Sequence, residues 1–104
     1  MEYQRDKLIN KIYSEAQRNK DIFFISVDFG APALDKYRKD LPKQFIHSGI
    51  SEQNSIDLAA GLALDGRLVF VYAMAPFITL RCLEQHKIST GIMNLNVCTI
   101  VAGI

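Results

Sequence analysis

Three uninterrupted apolar runs constrain this chain more than any other feature: IFFISV at 22–27, LVFVY at 68–72 and VCTIVA at 97–102. Each has the length of a strand: the first reads as a strand covered on both faces, the second as another buried strand and the third as the strand that follows. Between them the apolar spacing becomes helical. Leu8, Ile9, Ile12, Tyr13 and Ala16 predict an amphipathic helix over 3–19. A short helix is expected from Pro32 to just before Pro42, then a brief strand at 45–47. Gly49 makes a turn and Ser51 is the expected N-cap of a helix over 51–64, with Ile56, Ala59, Ala60 and Ala63 on one face and Gly61 allowing close approach to a neighbour. A third substantial helix is predicted from Phe77 to about Ser89, carrying Leu80 and Leu83. Strands alternating with helices through short loops predict an α/β fold: one parallel sheet with helices on both faces.

Composition narrows the function classes. The 104 residues, 49% of them apolar, suit a single globular unit with a modest core. A net charge of +1 supplies no long-range field for nucleic acid or an anionic membrane. The one basic cluster, Lys36, Arg38, Lys39 and Lys43, is interspersed with Asp35 and Asp40 and reads as a solvated face. No run approaches the ~20 apolar residues of a membrane span, and the charged start MEYQRDKLINK is unlike a secretory signal, so the expected location is cytoplasmic. Cys82 and Cys98 lie in apolar contexts without metal-ligand spacing and are expected to be reduced and buried. His47 and His86 are too isolated in sequence to argue for a metal. The end, NLNVCTIVAGI, is an apolar run without a polar tail, which leads to the expectation of a domain cut short on its C-terminal side or covered there by something else.

In a parallel sheet, ligands gather beyond the carboxyl ends of the strands. That rim collects Asp28 after the first strand, the turn before Glu52, and the segment 74–76 before Phe77. Each residue has an ordinary reading. Glu52 is a first-turn acid, where unsatisfied N–H groups and the helix dipole favour negative charge by ~0.3–1 kcal/mol. Asp28 could cap the helix that follows it, and Phe77 could be a core aromatic.

Their order along the chain adds a second reading. Asp28, FIHSGISEQN leading into LAAGLALDG, a strand, APFITLRCLEQ and NLNVCTIVAG together resemble the pyrimidine-binding domain of the transketolase-like thiamine diphosphate enzymes, above all the short subunit of split transketolases. The resemblance covers nearly all of 1–104, as a single domain. It implies that Glu52 bonds a ring nitrogen of the cofactor's aminopyrimidine, sharing a proton so that the neighbouring exocyclic amine becomes a usable base. Such a role needs the neutral acid, which burial in a cleft favours and the helix terminus opposes, so burial has to win. Phe77 matches the aromatic that stacks on the pyrimidine, and Asp28 an acid near the thiazolium. Met74 and Leu80 stand where transketolases often carry further aromatics. Arg81 and Gln85 are read as structural or interface residues.

The resemblance also implies a partner. In that family the diphosphate and its magnesium are held by a different domain through a Gly-Asp-Gly motif, and this sequence contains none. The expected assembly is a homo- or hetero-oligomer in which segments 49–63 and 72–81 meet a diphosphate-binding domain or subunit. The implied activity is transfer of a two-carbon ketol unit between sugar phosphates. The alternative is a non-catalytic α/β interaction or regulatory module; it has no physical need for both Glu52 and Phe77. A flavodoxin-like binder of another ligand lacks support, because no glycine-rich phosphate loop follows the first strand.

Overall fold

The computed structural model describes residues 3–27 and 30–103. In chain order the elements are α1 (Gln4–Arg18), β1 (Ile22–Ser26), α2 (Pro32–Asp40), a 3-10 turn (Pro42–Gln44), β2 (Phe45–His47), α3 (Glu52–Leu64), β3 (Leu68–Met74), α4 (Ala75–Ile78), α5 (Leu83–Gln85), a wide π-type turn (His86–Ile92) and β4 (Val97–Ala102). The four strands form one parallel sheet in the order β2-β1-β3-β4. The predicted α/β architecture, with helices on both faces, is the one observed.

Alternating side chains divide the core in two. Phe24 of β1, Tyr72 of β3 and Ile100 of β4 face α1 and α2, where they meet Ile9, Ile12, Tyr13, Leu34 and Tyr37. Phe24 sits 5.4 Å from the Tyr37 ring and 6.0 Å from that of Phe45, so aromatic packing locks α2 to this face. On the other face Ile25, Val69, Val71 and Ala73 pack against Ile56 and Ala59 of α3 and against Ile78 and Cys82. One buried amide fastens the first layer: Gln44 Nε2 lies 3.0 Å from the carbonyl oxygens of Ala16, Asn19 and Ile22, bridging the end of α1 and the start of β1.

Several expectations are corrected. The continuous helix over 77–89 does not form. His86 Nε2 lies 2.6 Å from the Ile78 carbonyl, which a regular helix would give to the amide of Cys82, and that amide bonds Thr79 instead at 3.2 Å. The segment is therefore broken after Ile78, and Leu80 and Leu83 are exposed rather than packed. Leu8 and Gly61 also face solvent, so α1 buries a narrower stripe and α3 packs on the sheet through Ile56 and Ala59, with Leu62 and Ala63 beside them. Cys82 is buried as expected but Cys98 is exposed: it lies on the same face as Ile100, but on β4, the edge strand of the sheet, where little covers it. The basic cluster Lys36, Arg38, Lys39 and Lys43 is exposed, as a solvated face should be. Among the described residues no helix is long and apolar enough to cross a membrane.

Candidate functional site

β1 continues into α2 on one face of the sheet, and its neighbour β3 continues into α4 on the other. α2 and α4 lie on opposite faces of the sheet, and a crevice is found at the carboxyl ends of the strands, the place where open α/β sheets bind ligands. A cavity of about 260 Å³ lies there, lined by Val27, Ile50, Glu52, Ala73, Met74, Phe77 and Arg81. It is slightly smaller than the ~300 Å³ at the lower end of small-molecule pockets, a size for one ring rather than an extended ligand. Asp28, expected on this rim beside Val27, lies outside the described residues.

Glu52 reaches the cavity through a turn that the local sequence specifies. Gly49 adopts φ +78°, a left-handed conformation that costs a side-chain-bearing residue strain, and the chain reverses there into α3. Three serines hold the turn. The Ser51 hydroxyl donates to the Ser48 carbonyl, and Ser55 Oγ bonds both Ser48 Oγ and the Ser51 carbonyl. Ser51 occupies the N-cap position but makes no side-chain bond to the helix amides, contrary to its expected capping role, because its hydroxyl is used within the turn. Glu52, the first residue of α3, is only 6% exposed. An acid placed there merely for the helix dipole would have no reason to be buried.

The opposite wall comes from the end of β3 and the broken segment after it. Phe77 on α4 is 40% exposed and is not the core aromatic of its ordinary reading; its ring borders the cavity. The break after Ile78 also turns Arg81 back over the cavity. Arg81 Nη1 donates to Glu52 Oε1 at 2.8 Å, and the same guanidinium lies 4.5 Å from the centroid of the Phe77 ring. Gln53 Nε2 donates to the Arg81 carbonyl at 3.1 Å and fixes the backbone at that point. The guanidinium side chain is 49% exposed, so solvent screening keeps the ion pair to about 0.2–1 kcal/mol.

Glu52 and Phe77 are thus brought together, within the span of one planar cation. Sequence reasoning missed the pairing of Arg81 with Glu52. The available signal was the four-residue spacing from Phe77 to Arg81, which places a cation near an aromatic ring but does not point to an acid 29 residues away. Below the site the Cys82 thiol is pushed up by burial first and then by the nearby Glu52 carboxylate, while Arg81 pulls the other way. A thiol held neutral in this way is no nucleophile. Among the described residues no three His, Cys, Asp or Glu side chains are grouped so as to hold a metal ion.

The donor set suits a flat, polar-edged ring: an aromatic face, a buried carboxyl and apolar floor residues. Residues 5–104 match the family described as "Transketolase, pyrimidine binding domain". One of the subunits of the apulose-4-phosphate transketolase of Phocaeicola vulgatus is 36% identical over 94 residues, covering 89% of this chain and 30% of that protein. The 1-deoxy-D-xylulose-5-phosphate synthase of Macrococcus caseolyticus is 33% identical over 87 residues, 83% of this chain and 14% of that protein. A solved structure described as "Split gene transketolase, inactive beta4 tetramer" matches with a TM-score of 0.83 at 27% identity, over 93% of this chain and 33% of that one. The chain spans about a third or less of the length of these relatives.

Proposed function

The chain belongs to the family of transketolase pyrimidine-binding domains, and from that premise we propose that it supplies Glu52 and Phe77 to a thiamine diphosphate site completed by a diphosphate-binding domain or subunit. The assembled, cytoplasmic enzyme transfers a two-carbon ketol unit between sugar phosphates. The observation that carries the reading is a carboxyl only 6% exposed on the same small cavity as a half-uncovered aromatic ring. The alternative of a non-catalytic module leaves that pair without a purpose.

Thiamine diphosphate, when bound, supplies a nucleophilic carbon and an electron sink for breaking a carbon–carbon bond beside a carbonyl. Phe77 offers its face to the aminopyrimidine, and Glu52 presents Oε1 or Oε2 to a ring nitrogen. Val27, Ile50, Ala73 and Met74 line the cavity beside the carboxyl and give the ring an apolar seat. Arg81 lies over the Phe77 ring and holds Glu52 Oε1, so a ring stacking on Phe77 has to move the guanidinium aside. Asp28 is assigned to the thiazolium side. The diphosphate and its magnesium are assigned to the partner, since a cavity of about 260 Å³, in which Arg81 is already paired with Glu52, has room for the ring alone. The two named relatives carry different sugar phosphates in their names, which suits a domain that holds the shared cofactor while other residues choose the sugar.

The test is to mix the chain with a diphosphate-binding companion subunit and titrate thiamine diphosphate and magnesium by calorimetry while following ketol transfer. Glu52→Ala should leave the fold intact and abolish turnover. Phe77→Ala should weaken cofactor binding by about 1–3 kcal/mol. Substantial turnover in the first variant rejects the role of Glu52, and unchanged affinity in the second rejects stacking on Phe77.

A further inference from the structure

Arg81 is the one charged cavity residue to which the proposed function gives no task, and its contacts are unusually complete. Its guanidinium is flat, carries N–H donors on its edge, lies over the Phe77 ring at 4.5 Å and donates to Glu52 at 2.8 Å. Those are the two interactions, one on a face and one on an edge, that the reading above assigns to the aminopyrimidine. We propose that Arg81 is an internal plug: it fills the pyrimidine seat between Phe77 and Glu52 in the unloaded chain and must be displaced before the ring can enter. The proposal rests on the proposed function and adds a gating residue to it.

The physical case has three parts. First, a carboxylate only 6% exposed is costly to leave unpaired, and the plug supplies its counter-charge until another donor arrives. Second, displacement is cheap. The Arg81 side chain is 49% exposed at the cavity mouth, so it can swing into water about a backbone that Gln53 holds in place. Third, the competition is direct, because the guanidinium lies over the Phe77 ring on which the pyrimidine would stack and already holds Glu52 Oε1. A protein whose competent state is only partly populated binds with its affinity reduced by that fraction. A plug closed about ten times as often as open lowers the apparent affinity about tenfold.

The full chain is titrated with 4-amino-5-hydroxymethyl-2-methylpyrimidine, the pyrimidine half of the cofactor without its diphosphate, by calorimetry and by amide chemical shifts. Arg81→Ala should bind this probe about tenfold more tightly than the wild type. Arg81→Lys, a compact ammonium that cannot reproduce a flat forked donor, should fall between them. Equal or weaker binding by Arg81→Ala overturns the plug, as does the absence of detectable binding to it at any attainable concentration. Should Arg81→Ala fail to fold, Arg81→Lys carries the test, and affinity no higher than wild type overturns the proposal. Phe77→Ala and Glu52→Gln separate the two readings. If both weaken probe binding while Arg81→Ala does not strengthen it, the seat stands and the plug falls. If neither matters, the seat itself is wrong.

Discussion

Replacing Gln44 with alanine should cost this protein a large share of its stability. The side-chain amide is buried and stands 3.0 Å from three carbonyl oxygens: Ala16 at the end of α1, Asn19 beyond it and Ile22 at the start of β1. Two N–H groups serve three acceptors, so one is shared. The bond to Asn19 is only partly buried and water can replace it; those to Ala16 and Ile22 are buried, and their loss leaves carbonyls without that donor. At about 0.5–1.5 kcal/mol per net bond, with the stranding of a buried acceptor at the upper end, the loss comes to about 2 kcal/mol. For a chain of this size about 1 kcal/mol moves the melting temperature by ~4–8 °C, so Gln44→Ala should melt about 8–16 °C lower by circular dichroism. A drop of under about 3 °C would refute the clasp. Gln44→Glu checks the sign of the interaction. A carboxylate facing three carbonyl oxygens is repelled, whereas the protonated acid can still donate once. Its folded-state pKa is therefore raised above the ordinary ~4.3, so its stability relative to wild type is best below that value and is lost as pH rises through the raised one. A deficit independent of pH would contradict the donor role.

Four other outcomes follow from the structure. Ellman's reagent should titrate Cys98 quickly in the native protein and Cys82 only after denaturation, since burial both covers the Cys82 thiol and keeps it neutral; two fast thiols would count against the packing of Cys82. Among the described residues the buried Tyr37 hydroxyl has no hydrogen-bond partner, so Tyr37→Phe should be neutral or stabilising by up to about 1–2 kcal/mol in urea unfolding, and a loss above about 1 kcal/mol would reveal a partner. Burial raises Tyr37 well above its usual 10.0 and Cys82 above 9.0. The native state then holds protons that the unfolded chain releases, so stability should be full below about pH 9 and decline above it, with a shallower decline in Tyr37→Phe; stability that rises there would reverse the argument. Gly49→Ala meets no atom within 4 Å but must adopt φ +78°, so it should cost about 1 kcal/mol of stability through the backbone alone, and an unchanged urea midpoint would show that the turn relaxes.

Much of the architecture was legible because it depends on contiguous residues. The apolar runs at 22–27, 68–72 and 97–102 can satisfy their backbone and bury both faces only inside a sheet, and helical spacing between them leaves parallel pairing as the way to connect them. The same local rules place Glu52 at the start of α3 just after Gly49, and Phe77 just beyond β3. They failed where a local pattern met a distant competitor. Residues 77–89 have helical spacing, yet the His86 ring takes the Ile78 carbonyl and breaks the helix. Cys98 belongs to an apolar run, yet its strand is at the sheet edge and the residue is left exposed there.

The sequence by itself determined the four strands and the first three helices, and which acid and which aromatic ring stand at the sheet's carboxyl rim, because periodicity, turn glycines and helix starts are properties of neighbours in the chain. Only the tertiary structure decided that Glu52 is buried, that Gln44 ties three carbonyls together and that Arg81 lies across Phe77 onto the acid. Those contacts join residues 20 to 30 positions apart, and their existence depends on how the strand order brings loop ends together, which no local pattern encodes.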